Sequence, residues 1–362
     1  MLPHFLVAPG AELWYSGGEN DAGVARGRAS KRRGSVPRRE GGMTMRWIDD
    51  KQFKQCMETE VEPYLAARRE TGFDERVPGQ PIYFEHYRAD APKGAIVISH
   101  GFTESIRKFS EAIYYMLQQG YEVWGLDHRG HGLSYRPGGG TLVVHVDRFE
   151  DYVLDLKHLT ETYVRPAAGE LPLYLYCHSM GGCVGAWTIE DYPTLFRKAV
   201  LSSPMLGLGF GKIPTPVAYA VASLRSIGAG AAKPMSPVER MPEETYEASA
   251  SNSPARFDWY YGKKLADPKL QTCAASAGWG KNAIAATWRV GKAKNVQKIQ
   301  IPVLLFQAGD DVFVENAGQD AFAARAKNCQ LVKLPGKRHE LYFSEGADLR
   351  AYWEKIFAFL ES

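Results

Sequence analysis

Leu173-Tyr174-Leu175-Tyr176-Cys177-His178-Ser179-Met180-Gly181-Gly182 is the stretch on which the reading of this 362-residue chain turns. An apolar run of strand length (LYLYC, 173–177) passes into a serine and two glycines, and a helical pattern begins at once, over 180–191. A serine squeezed into so sharp a strand-to-helix turn has its hydroxyl lifted above the sheet, as in a nucleophile elbow. Gly181 and Gly182 fit that turn because a Cβ at either position would collide with it. The helix behind the serine points its N-terminus, with free N–H groups and a positive dipole end, at the same spot. The usual elbow has glycine two residues before the serine, and here Cys177 takes that place, so the turn is expected to be tighter.

The pattern on either side is alternation. Strand-like segments are expected at Ile82–Arg88, which alternates as a half-buried strand does, and at Gly94–His100, Tyr121–Leu126, Lys198–Ser202, Val303–Ala308 and Gln330–Leu334. Helical spacing falls between them, at 108–119, 148–164, 180–191, 316–326 and 347–360. Strand–helix alternation predicts an α/β chain with a mostly parallel, doubly wound sheet. Residues 205–290 break the rhythm, running from Gly/Ala-rich to aromatic over far more than an ordinary connection. They are read as an inserted helical cap, placed where open α/β sheets bind ligands. The expected layout is a leader at 1–45, a core at 46–204 and 291–362, and the cap at 205–290.

A serine hydroxyl is a weak nucleophile and needs a base. In this kind of fold the chain order is serine, acid, histidine. Of nine histidines only His339, in LPGKRHELYF, lies beyond the cap, in a loop between the last strand and the last helix. The acid is expected past the strand 303–308, where Asp310 and Asp311 stand side by side. Asp311 is preferred because the apolar residues Val312-Phe313-Val314 would pin its loop to the sheet, with Asp310 as the alternative and a turn-former on the bland reading. Acyl transfer also needs donors for the developing oxyanion. The N–H of Met180 and that of Phe102, in the loop His100-Gly101-Phe102-Thr103, are the expected pair. His100 is read mainly as a brace for that loop. His100, Gly101, Trp259 and Trp279 are the residues expected along the substrate. His128 and His131, in DHRGHGLS, invite a metal reading, but their Gly-rich loop offers no further ligand, and polar residues bracing one another is the preferred account.

Charge and cysteine usage narrow the classes. The net charge is +3, and residues 1–45 hold seven Lys/Arg against four Asp/Glu, which leaves 37 of each sign elsewhere. A neutral body has no electrostatic footprint for nucleic acid. The leader, with its KRRGSVPRRE run, is read as disordered: either a basic tail or the product of a start placed upstream of Met43 or Met45. A chain beginning at Met43 is expected to keep full activity. Five scattered cysteines without a CxxC pair suggest a reducing, cytoplasmic compartment. No apolar run reaches the roughly 18 residues that a membrane span requires.

Together HGF (100–102), DHRGHGLS (127–134), HSMGG (178–182), QAGDDVFV (307–314) and KRHELYF (337–343) resemble the α/β-hydrolase family of lysophospholipases and monoacylglycerol lipases, and more closely its lysophospholipase L2 branch. In that branch a small residue other than glycine often precedes HSMGG. The cap stretch Asn252-Ser253-Pro254-Ala255-Arg256-Phe257 is similar to the branch too, whereas Ala274-Ala275-Ser276 departs from its Gly-Gly-Pro-Thr-like run. The resemblance implies an α/β-hydrolase fold and hydrolysis of esters of apolar acyl chains through an acyl-enzyme on Ser179, with no metal or organic cofactor. It implies a lipid or small ester substrate, and the apolar stretch 205–231 is expected either to line an acyl tunnel or to make peripheral membrane contact through the cap. The alternatives are a small-molecule carboxylesterase, a lactone or C–C hydrolase with the same residues, and a non-catalytic binding module. Headgroup, acyl length and oligomeric state are not fixed by the sequence.

Overall fold

A computed structural model describes residues 45–138 and 140–362. The reading of the leader therefore lies outside the described residues except at Met45.

Ten strands occur among the described residues: β1 Arg69–Asp74, β2 Ile82–Tyr87, β3 Gly94–Ser99, β4 Tyr121–Leu126, β5 Val143–Val144, β6 Leu173–His178, β7 Lys198–Ser202, β8 Ala274–Ala275, β9 Val303–Ala308 and β10 Cys329–Leu334. Eight form one sheet in the order β1-β2-β4-β3-β6-β7-β9-β10, and β5 pairs with β8 separately. All the sheet's pairings are parallel except those of β2 with β1 and with β4. The chain leaves β3 toward β4 on one side and returns to β6 on the other. The strand order thus reverses between β3 and β6, the crevice where open α/β sheets take ligands. The residues just past these two strands are His100-Gly101-Phe102 and Ser179.

β3, β6, β7 and β9 are buried along their whole length, as continuous apolar runs between two helical layers should be. One layer holds a helical run at 50–66, α1 (Ser110–Gln118) and the closing helix α8 (Gly346–Glu361). The other holds α2 (Glu150–Leu159) and α3 (Met180–Asp191), with α6 (Ala277–Val290) packed against α3 and α7 (Asn316–Arg325) directly against β9 and β10. Between β7 and β9 the chain forms α4 (Thr215–Arg225), α5 (Pro254–Ala266) and α6.

Two expectations are corrected. β2 is not half exposed: all six residues are buried, and Glu85 is accommodated inside by accepting the hydroxyls of Tyr83 and Tyr87. β1 (RETGFD) and the helical run at 50–66 were not expected. β1 is an edge strand in which Arg69, Glu70 and Thr71 are exposed, Asp74 is buried and Phe73 is exposed, and it has no apolar alternation to betray it.

Candidate active site

Ser179 is the residue between β6 and α3, with φ 54° and ψ −118°, one of three non-glycine residues with positive φ among the described residues. Its N–H donates to Ser202 O, and its carbonyl accepts from the N–H groups of Gly182, Cys183 and Met205. Four neighbours therefore hold a backbone conformation that costs about 1–3 kcal/mol. A Cβ on Gly181 would come within 2.1 Å of Ser99 O, and one on Gly182 within 2.5 Å of Pro204 Cβ. The tightening at Cys177 is absorbed elsewhere. Its buried sulfur points at Gly185 of α3, where an added Cβ would lie only 2.3 Å away. Burial pushes the Cys177 thiol well above its usual pKa, so it stays neutral.

His339 lies against this turn, its ring centroid 4.7 Å from that of His178. Its Nδ1 is 2.6 Å from Asp311 Oδ2, and the other Asp311 oxygen accepts the N–H groups of Phe313 and Val314. With Nδ1 so engaged, Nε2 is the ring nitrogen left outside that pairing. Burial alone would lower the His339 pKa, but the charge and hydrogen bond of Asp311 outweigh it and raise it. Burial alone would raise that of Asp311, and His339 with the two N–H groups holds it below the usual carboxylate range. Asp310 is exposed, and only its backbone is engaged, its N–H donating to Lys337 O. The pinning of this loop differs from expectation. Val314 is buried and bridges to Leu208, whereas Val312 is 78% exposed.

Gly101 closes the other side: a Cβ there would meet Ser179 Cβ at 3.0 Å. Phe102 follows it and stacks on Trp279 of α6, centroids 4.1 Å apart. Trp279 is held by Ser276, which caps α6 and also bonds His145 Nδ1 at 2.8 Å. Met180 begins α3 with its side chain in the core. Ala274 and Ala275, in the stretch that departs from the lysophospholipase L2 branch, form β8 and pair with Val143 and Val144.

Two expected substrate contacts are not brought there. Trp259 packs toward the 50–66 and α1 layer, with Lys263 over its ring, because α5 turns that face to the core and not to Ser179. His100 is fully buried and uses both nitrogens structurally: Nδ1–H donates to Gly101 O, and Nε2 accepts the His128 N–H. It is a brace, in line with the main reading of it, and not a substrate contact. The DHRGHGLS loop is braced similarly. Asp127 accepts the N–H groups of Ile106 and Leu133, and His128 bonds Ser99 Oγ.

Sequence reasoning missed a buried charged cluster behind the site. Glu104 accepts the Gly101 N–H at 2.6 Å, Lys108 Nζ at 2.9 Å and the Tyr342 hydroxyl at 2.8 Å. Lys108 also donates to Glu340, the residue after His339, at 2.5 Å. Burial would raise the pKa of Glu104, but the Lys108 charge outweighs it and holds the acid ionised. Beside it His178 is pushed down to about 3, chiefly by burial, and is neutral. The i, i+4 spacing of Glu104 and Lys108 at a helix start was the available signal.

Comparison with known proteins places these features. The family described as serine aminopeptidase, S33, matches residues 90–346. A probable lysophospholipase L2 of Haemophilus influenzae is 26% identical over 257 residues, 70% of this chain and 80% of its own. A monoacylglycerol lipase of Mycolicibacterium smegmatis is 27% identical over 274 residues, 74% of this chain and 88% of its own. Among solved structures, a soluble variant of monoglyceride lipase from Saccharomyces cerevisiae superposes with a TM-score of 0.64 at 17% identity, covering 81% of this chain and 94% of its own. The sheet and its helices are thus an α/β-hydrolase fold.

Proposed function

Since the chain belongs to the serine aminopeptidase S33 family of α/β-hydrolases, we propose that it hydrolyses carboxylic esters of apolar acyl chains, as a lysophospholipase or monoacylglycerol lipase, through an acyl-enzyme on Ser179. The observation that carries this reading is the 2.6 Å pairing of His339 with Asp311 beside a serine held at positive φ on the switch-point strand.

Nε2 of His339 takes the Ser179 hydroxyl proton as Oγ attacks the ester carbonyl. Asp311, bonded at Nδ1, stabilises the imidazolium that forms. The oxyanion is received by the N–H groups of Phe102 and Met180, each worth about 3–4 kcal/mol of transition-state stabilisation. The tetrahedral intermediate collapses, the C–O bond breaks, and His339 returns the proton to the departing alcohol. Water then repeats the sequence on the acyl-enzyme, releasing the fatty acid and restoring the serine.

The segment 205–290 is proposed as the cap. Ser179 is only 9% exposed, which fits a site reached beneath a cover. Val217, Val221 and Leu224 of α4, with Ile227 just beyond it, form an exposed apolar stripe at helical spacing, Leu224 at 70% and Ile227 at 71%. That stripe suits peripheral contact with a lipid surface, and no helix among the described residues is long and apolar enough to cross a membrane.

The test combines fluorophosphonate labelling of purified protein with a panel of esters of rising acyl length and varied headgroup. Labelling that is lost in Ser179→Ala, with a preference for long acyl chains, is the expected result. Absence of labelling overturns the acyl-enzyme mechanism, and a preference for short acyl chains would favour a small-molecule esterase.

A further inference from the structure

The loop that carries His339 is held in place by the inserted segment. Asn252, two residues before α5, donates from Nδ2 to Arg338 O and to Glu340 O, each at 3.0 Å. Its Oδ1 accepts the Arg338 N–H at 2.8 Å. The Glu340 N–H donates to Ala250 O at 3.0 Å, and Arg338 Nη1 donates to Tyr246 O at 2.8 Å. The N–H and C=O groups of both residues flanking His339 are thus bonded by residues 250–252.

This segment is itself anchored. Ser253 caps α5 through the Arg256 N–H and donates its hydroxyl to Glu345. The buried Arg256 guanidinium reaches Glu111 of α1 with two nitrogens and Asp50 with a third contact, all at 2.7–2.8 Å. Asn252 is therefore a fixed post, and the His339 loop is tied to it.

The chemistry of the side chain fits the task closely. The loop offers two carbonyl oxygens and one N–H, and a carboxamide supplies two donors and one acceptor. An aspartate of the same shape has no donor and would set a negative charge against two carbonyls. Alanine would leave three backbone groups without those partners. Asp311 holds one nitrogen of the imidazole, so it fixes the ring's tilt and tautomer but not where the backbone of His339 sits.

We infer that Asn252 is a positioning residue for the catalytic base, setting the reach of His339 toward Ser179 from outside the catalytic core. This rests on the proposed role of His339 as that base. It implies that any opening of the cap leaves residues 250–266 in place and moves the α4 side.

The test uses the full chain as wild type, Asn252→Ala, Asn252→Asp and His339→Ala, with a soluble p-nitrophenyl ester and a fluorophosphonate. Rates are expressed per folded molecule from near-ultraviolet circular dichroism. A misplacement near 1 Å at a reacting group costs on the order of 10²-fold. Both Asn252 variants should therefore lose roughly 10- to 100-fold in kcat and in labelling rate, with KM within about threefold. The acid limb of kcat/KM should move down toward the ordinary histidine value of about 6.5 as the pairing with Asp311 loosens. The near-isosteric aspartate should not rescue. A kcat within threefold of wild type, an effect confined to KM, or full rescue by aspartate overturns the inference. Wild-type protein that neither turns over the ester nor labels, or His339→Ala that retains full activity, counts instead against the reading of the site itself.

Discussion

Asp311 grips His339 with one carboxylate oxygen at 2.6 Å while its other oxygen is locked by the N–H groups of Phe313 and Val314. Burial would lower the His339 pKa, but Asp311 outweighs it and the net effect is upward. The proposed base acts only when neutral, so kcat/KM should fall as pH drops through a value above about 6.5, the ordinary histidine value. Asp311→Asn removes the charge that raises the pKa and leaves burial, which lowers it. The acid limb should then move down while kcat drops on the order of 10⁴-fold through loss of the correct tautomer. A pH profile of both proteins on one soluble ester decides this, and an unchanged limb in the variant would refute it.

Glu104 shapes the loop that carries Phe102 by accepting the Gly101 N–H, and it shares a buried proton-free oxygen with Lys108 and Tyr342. Breaking a buried ion pair costs about 3–5 kcal/mol, so Glu104→Ala should lower thermal stability markedly. Glu104→Gln keeps an acceptor for Gly101 and should fall between. The same order is expected in kcat, since the Phe102 N–H is aimed by that loop. Thermal unfolding and kcat measured on the three proteins should rank alike, and an alanine variant as active as wild type would show that the loop holds its shape without the acid.

Cys177 and Gly185 form a complementary pair in which a sulfur occupies the space a glycine leaves. Gly185→Ala should destabilise by about 1–3 kcal/mol through overpacking. Adding Cys177→Ala should recover most of that loss, because the nearest remaining Cys177 contact would be its Cβ at 3.4 Å. Denaturant melts of the two singles and the double give the coupling, and strictly additive losses would mean that the contact is relieved some other way.

The exposed stripe of α4 should matter only at a lipid surface. Val221→Glu and Leu224→Glu should each weaken flotation with phospholipid vesicles and slow hydrolysis of vesicle-borne substrate roughly tenfold, given about 1.5–3 kcal/mol for burying such a side chain. Rates on a soluble short-chain ester should be unchanged. An equal loss on both substrates would place these residues at the substrate path and not at a membrane.

The catalytic candidates were legible because their signals are local. The elbow needs small residues at 181 and 182 within one turn, and the parallel strands announce themselves as unbroken apolar runs. His339 followed from chain order alone. Edge strand β1 was not legible, since it carries no apolar period of its own, whereas the helical run at 50–66 does repeat apolar residues at helical spacing (Phe53, Cys56, Met57, Val61, Leu65) and that signal was overlooked. Trp259 and Trp279 looked equivalent as aromatics in one inserted segment, and only the direction in which α5 and α6 face separates them.

By itself, then, the sequence determined an α/β sheet with an elbow serine, a downstream histidine and an acid between them, because strand burial and turn sterics act over a few neighbouring residues. The pinning of the Asp311 loop through Val314 and Leu208, the burial of the Cys177 sulfur against Gly185, the Glu104–Lys108–Glu340 cluster and the clasp of Asn252 on the His339 loop were decided only by the tertiary structure. Each joins groups from separate segments, and hydrogen bonds between such groups depend on distances of a few tenths of an ångström that no local pattern encodes.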